Sequence, residues 1–200
     1  AYNPPVLGGL TAANVRWAFA TFHTGYSQPV TWLSFQLDAT LFGRGPAGFH
    51  LTNVALHAAN AALLYLTLRR LTGATARSLV AAAVWAAHPL RVESVAWVTE
   101  RKDVLSGLFA LLAVLAYARY AAAPSAARMA AVAALLVAGL AAKPMLVTLP
   151  CVLVLLDFWP LARVRSADDL LARVGEKWPL FAVAVGWALL TVFAQAAVGA

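Results

Sequence analysis

Charge is scarce in this sequence. Of its 200 residues only 12% are Asp, Glu, Lys or Arg, about half the share of an ordinary soluble domain. Hydrophobic residues make up 62% and the mean hydropathy is +0.77. These values exclude a soluble globular domain and indicate a polytopic membrane protein. Cysteine is scarcer still. Cys151 stands alone in an apolar stretch, which excludes an intrachain disulfide and argues against a thiolate metal site. No basic n-region precedes a short apolar stretch, so no signal peptide is visible. Polar, loop-like sequence at Tyr2-Asn-Pro-Pro5 and an apolar run up to Ala200 lead us to expect an internal piece of a longer protein.

Acids are the scarcer sign, 8 against 15 Lys and Arg, for a net charge of +7. In a soluble domain this would suggest nucleic acid. Here the basic residues cluster in short loops, as membrane topology requires, and no nucleic-acid partner is expected. Six apolar stretches are long enough to consider as spans: Leu51–Leu68, Leu79–Leu90, Val104–Ala118, Met129–Ala142, Met145–Leu161 and Leu180–Val198. Residues 1–50 read as an external loop and 51–200 as a bundle of about six transmembrane helices. Arg69, Arg70 and Arg77, then Arg119 and Arg128, then Arg163, Arg165, Arg173 and Lys177 mark every second connection as cytoplasmic. Arg91–Asp103 and Lys143 face out. Within the first loop, Val15–Phe22 and Thr31–Phe42 are expected to form short interfacial helices, aromatic side down.

Two patterns could carry chemistry. His50, Asn53, His57 and Asn60 recur at spacings of three, four and three. They form a narrow polar stripe that must face the bundle interior, because lipid offers it no partner. Interhelical hydrogen bonding accounts for it. Two His without a carboxylate lack the ligand count of a metal site, and no metal or other cofactor is expected.

The second pattern is the run His88-Pro-Leu-Arg-Val-Glu-Ser-Val-Ala-Trp-Val-Thr-Glu-Arg-Lys-Asp103, which packs seven ionisable residues between apolar stretches. Each charge costs roughly 2.5–3.5 kcal/mol at mid-bilayer depth, so the run belongs at a membrane surface or in a wet cavity. As one helix it would scatter its charges over every face. An interfacial helix, a break near Thr99–Arg101 and a new span with Asp103 in its first turn fit better, since a carboxylate there suits the helix dipole. Arg91, Arg101, Lys102 and Lys143 would then gather at the external mouth as a lipid-phosphate pocket. His57, His88, Glu93, Glu100 and Asp103 would support it, with Glu93 orienting one cation. Mutual salt bridges and headgroup contacts explain the same charges without a ligand. Asp157 lies roughly 21 Å along a helix from Lys143 and cannot pair with it; with Trp159-Pro160 it reads as structural, as does Asp38.

The strings Leu51-Thr-Asn-Val-Ala-Leu-His-Ala-Ala-Asn60, His88-Pro-Leu-Arg-Val-Glu-Ser-Val-Ala-Trp97, Glu100-Arg-Lys-Asp-Val-Leu-Ser106, Lys143-Pro-Met-Leu-Val-Thr-Leu-Pro150 and Leu155-Leu-Asp-Phe-Trp-Pro-Leu161 resemble the membrane region of the transmembrane and tetratricopeptide-repeat (TMTC-like) proteins. The resemblance runs from Asn3-Pro4 to Leu161. It implies an all-α, GT-C-type membrane bundle and O-mannosyltransferase activity with a polyprenyl-phosphate sugar as donor. An acceptor protein or glycan and membrane lipid would be the partners. It also implies an acidic catalytic motif upstream of Ala1, helical repeats downstream and, for a bacterial relative, an inner-membrane location with an external active face. A transporter or flippase of an amphiphilic anion, or a non-catalytic anchor for the repeats, are the competing functions. Dense charge at the external ends rather than at mid-membrane favours the enzyme.

Overall fold

The computed structural model describes residues 4–23, 25–197 and 199, and every regular element among them is helical. Three helices, α1 (Pro4–Leu7), α2 (Ala12–Ala20) and α3 (Pro29–Phe42), precede the first long one, α4 (Pro46–Thr72). Proline at the first turn of α4 costs nothing, because its missing amide would be unpaired there anyway. Gly73 ends the helix at a left-handed φ of 70°, with its amide donating to the Arg69 carbonyl. The chain returns through α5 (Thr75–Ala87). A 3-10 turn at Pro89–Arg91, the short α6 (Val92–Ala96) and a second 3-10 turn at Val98–Glu100 lead into α7 (Arg101–Ala122). Next come α8 (Ala126–Leu140), a 3-10 turn at Pro144–Thr148, α9 (Leu149–Phe158), α10 (Ala167–Glu176) and α11 (Trp178–Ala197).

The chain is an all-α helical membrane bundle. Pro46–Thr72, Val98–Ala122 and Trp178–Ala197 are long and apolar enough to cross a membrane, while Thr75–Ala87, Ala126–Leu140 and Pro144–Phe158 are shorter. The 13 residues of α5 extend about 20 Å, short of the ≈30 Å hydrocarbon core. Each expected span thus has a corresponding helix with shifted ends. Helix α4 begins five residues before Leu51, inside the expected loop, and α5 occupies Thr75–Ala87 rather than Leu79–Leu90. It stops there because His88 precedes a proline and is driven to an extended backbone. Past Lys143 a 3-10 turn precedes α9, because Pro150 has no amide with which to extend that helix backwards.

Two cores hold the bundle. Tyr117, Leu136, Leu140, Leu153 and Leu180 join α7, α8, α9 and α11. Lipid tails are as apolar as leucine, so close van der Waals packing, more than water exclusion, stabilises such contacts. The second core gathers Val6, Ala18, Trp32, Phe35 and Phe49 from α1 to α4. This corrects the picture of interfacial helices with their aromatic side down: Trp32 and Phe35 pack against one another at 6.3 Å, and only part of the set, such as Phe19 and Phe42, is exposed.

The α1–α3 segment, the turns around α6, and Lys143 share one end of the bundle, which we term the mouth. The Val30 amide donates to the Ala141 carbonyl and the Thr31 hydroxyl to Ala142, both at 3.0 Å. The opposite, basic end gathers the α4–α5 turn, the end of α7 and residues 159–177, with Trp159 beside Leu68 and Arg77.

Candidate functional site at the mouth

The polar stripe of α4 organises the mouth. The Asn53 side-chain amide donates to the Val95 carbonyl at 3.3 Å, His57 Nε2 to Ala86 at 3.0 Å and the Asn60 amide to Val104 at 2.8 Å. These three therefore face neighbouring helices, as the spacing predicts, whereas His50 is exposed. Gly107 permits the approach: a Cβ there would meet Asn60 Nδ2 at 3.3 Å.

Arg101, Lys102 and Asp103 open α7, and successive residues on a helix point about 100° apart. Each meets a different environment. Arg101 turns inward and is fully buried. Its guanidinium ion-pairs with Asp38, and it donates to Asn53 Oδ1 at 2.6 Å, the Phe49 carbonyl at 2.6 Å and the Ser34 hydroxyl at 3.0 Å. It also lies 4.8 Å above the Phe35 ring. This corrects the expectation that Arg101 lines the mouth: it is a brace tying α3, α4 and α7 together. An unpaired guanidinium in that position would be costly, and Asp38 neutralises it.

Lys102 stays at the surface, 3.0 Å from Glu100. Asp103 accepts from the Ser94 hydroxyl at 3.2 Å and ion-pairs with Lys143, both partners of that pair keeping about a quarter of their side chains exposed (28% and 23%). The guanidinium of Arg91 rests 4.9 Å over the Trp85 ring, and His57 stacks on the same ring at 5.3 Å. His88 is a local cap, its Nδ1 accepting from the Leu90 amide at 3.2 Å. Glu93 is exposed and forms no ion pair among the described residues, so it orients no cation here.

His57, Arg91, Ser94 and Asp103 line a small cavity of about 60 Å³. His57 and Arg91 continue into an adjoining, more open one of about 260 Å³ with His88 and Val95. Leu90, Val92 and Trp97 are 58–76% exposed around it, as suits a segment lying at a lipid interface. The structure thus joins His57, Arg91, Asp103 and Lys143, leaves Lys102 with Glu100 beside them, and removes Arg101. Ser94 and Trp85 were not singled out from sequence. Both belong to ordinary-looking runs, and only the fold brings them to Asp103 and Arg91.

Several curated proteins are similar to this chain. A Xenopus laevis protein named Protein O-mannosyl-transferase tmtc2 is 36% identical over 100 residues, 48% of this chain and 12% of its own length. The Drosophila melanogaster Protein O-mannosyl-transferase Tmtc1 is 38% identical over 89 residues, and human Protein O-mannosyl-transferase TMTC4 is 36% identical over 107. The matches take in 44–46% of this chain and 10% and 14% of those two relatives. No family model matches, and no solved structure does. About half of this chain is thus similar to TMTC proteins, of whose length the matches span 10–14%.

Proposed function

We propose that this chain belongs to a membrane glycosyltransferase that moves a sugar from a polyprenyl-phosphate carrier to a hydroxyl of an acceptor protein. The similarity to proteins named O-mannosyl-transferases supports the class. The observation that carries the site is the recess itself: Arg91 without a carboxylate partner among the described residues, beside the half-open Lys143–Asp103 pair, at one end of apolar helices. In the proposed step the acceptor oxygen bonds to the anomeric carbon while the carbon–oxygen bond to the carrier phosphate breaks. The electron pair leaves with the phosphate and the hydroxyl proton passes to a carboxylate base. Arg91 and Lys143 would stabilise the charge growing on the departing phosphate, with Asp103 holding the lysine in position. Asp38 is not that base, being committed to Arg101; a base upstream of Ala1 is what a GT-C-type resemblance would imply. The positive-inside rule assigns the mouth to the external face, with the arginine-rich end in the cytoplasm.

Sugar transfer by the full-length protein in nanodiscs tests the reading. Arg91→Ala and Lys143→Ala should each lower the rate roughly ten- to hundredfold, and Arg69→Ala at the opposite end should leave it unchanged. Equal losses at all three would reduce the mouth cations to topology signals.

A further inference from the structure

A separate cavity of about 430 Å³ opens at the basic end, between the α4–α5 hairpin and the turn after α9. Thr72, Arg77, Ser78 and Trp159 are among its lining. Its charge is one-signed. Arg77 lines it, Arg69 and Arg70 occupy the adjoining last turn of α4, and none of the three has a carboxylate partner among the described residues. Ala74, the N-cap of α5, also lines it and offers no side-chain cap. The first turn of α5, whose amides the helix cannot satisfy itself, thus begins beside this space, with Ala74 and Arg77 in its lining. Ser78 is the independent sign of a ligand: only 3% exposed, it lines the cavity, and its hydroxyl makes no hydrogen bond among the described residues.

Leu68, Ala74 and Ala81 complete the lining with apolar side chains. Val80 and Val84 of α5 and Leu155 of α9 are 60–64% exposed on the flanking helices, and Trp159 is 72% exposed. We infer that this cavity binds the phosphate of an anionic phospholipid from the leaflet at the basic end. The Arg77 fork and the Ser78 hydroxyl hold the phosphate oxygens, Trp159 lies at headgroup depth, and the acyl chains run along the exposed apolar faces of α5 and α9. Inorganic phosphate would satisfy the polar lining but gain nothing from these walls.

Native mass spectrometry of the full chain released from mixed phosphatidylcholine and phosphatidylglycerol nanodiscs reads this directly. Phosphatidylglycerol should be retained preferentially. Arg77→Gln should weaken retention about tenfold or more, and Ser78→Ala about threefold. Arg77→Lys should recover part of the loss, and Arg128→Gln, at the same end but outside the cavity, should change nothing. Should Arg77→Gln fail to fold, the lipid preference of the unmodified chain and Ser78→Ala still decide. Equal retention of the two lipids, indifference to Arg77→Gln or Ser78→Ala, or displacement of the lipid by millimolar inorganic phosphate each overturns the inference.

Discussion

At the basic end Asp157 and Lys177 are completely buried, and all four oxygens of Asp157 and Glu176 accept hydrogen bonds from Tyr117, Tyr120, Arg163, Arg173 and Lys177. At the mouth the Lys143–Asp103 pair keeps about a quarter of each side chain exposed beside a small cavity, and Arg91 rests over Trp85 with no carboxylate partner among the described residues. The network around Asp157 and Glu176 spends its charges on itself, whereas the mouth leaves some unspent. Every carboxylate oxygen of this network is engaged, although Arg173 Nε is buried without a partner among the described residues, and the network reads as a clasp. The mouth is layered: the Arg101–Asp38 brace is as closed as the clasp, and the open recess rests against it on α7.

The comparison breaks most visibly if the closed pairs can be opened cheaply. Removing one partner of a buried ion pair strands the other charge and typically costs 3–5 kcal/mol. Lys177→Met and Arg101→Met should each lower stability by about that amount in detergent unfolding experiments. Adding Asp157→Leu to Lys177→Met should restore part of it, because the stranded carboxylate is then gone. A change below about 1 kcal/mol in the single variants, the range of exposed pairs, would show that water reaches these charges.

The mouth pair should behave oppositely. Asp103→Asn leaves Lys143 without its anchor but still in reach of water, so stability should fall by no more than about 1 kcal/mol. Sugar transfer should nevertheless fall about tenfold as the lysine loses its position. Lys102→Ala, one residue away and paired only with Glu100 at the surface, serves as the comparison and should move neither quantity much. Large destabilisation by Asp103→Asn would make the recess a second clasp.

The sequence carried much of this division, though not all of it. The three-four-three stripe of α4 revealed which face turns inward, because an amide or imidazole in lipid has no other partner. The break near Thr99–Arg101 and the place of Asp103 in the first turn of α7 were legible from charges that no single helix face could hold. What the run of Arg101 and Lys102 could not reveal was which cation turns inward. That is decided by Asp38, 63 residues away in sequence and on a helix whose approach no local pattern encodes. The clasp was hidden for the same reason. Asp157 was correctly separated from Lys143, but its partner Lys177 lies beyond a turn in which Ala162 takes a left-handed φ of 50°. That conformation is unfavourable for a residue with a Cβ, and sequence pattern gives no warning of it.

The clasp should also respond to acid. Burial alone would raise the Glu176 carboxyl, but hydrogen bonds and charge from Arg163, together with Lys177, hold it below its ordinary value. Its folded pKa is depressed, so the unfolded chain takes up the proton first. The stabilisation is fully present above the ordinary glutamate range, near about 4.3, and is lost as pH falls through the folded value. Thermal midpoints taken from pH 7 downward should fall more steeply for the unmodified protein than for Glu176→Gln. Parallel curves would mean that Glu176 contributes no linked stability.

The smallest effect expected is at His57, and it tests the border between brace and recess. His57 donates to the Ala86 carbonyl and stacks on Trp85, so it ties α4 to α5, yet it also lines both mouth cavities. Hydrogen bonds between membrane helices average about 0.6 kcal/mol, and His57→Leu should lower stability by about that amount, with Trp85 still packed against an apolar side chain. Transfer should then fall only modestly, through the tilt of Trp85 and the Arg91 guanidinium resting on it. His57→Gln, which can keep a donor toward Ala86, should recover the stability but not the stacking. The two variants therefore separate the hydrogen bond from the ring. If His57→Leu were fully stable and yet abolished transfer, His57 would be part of the chemistry rather than of the frame.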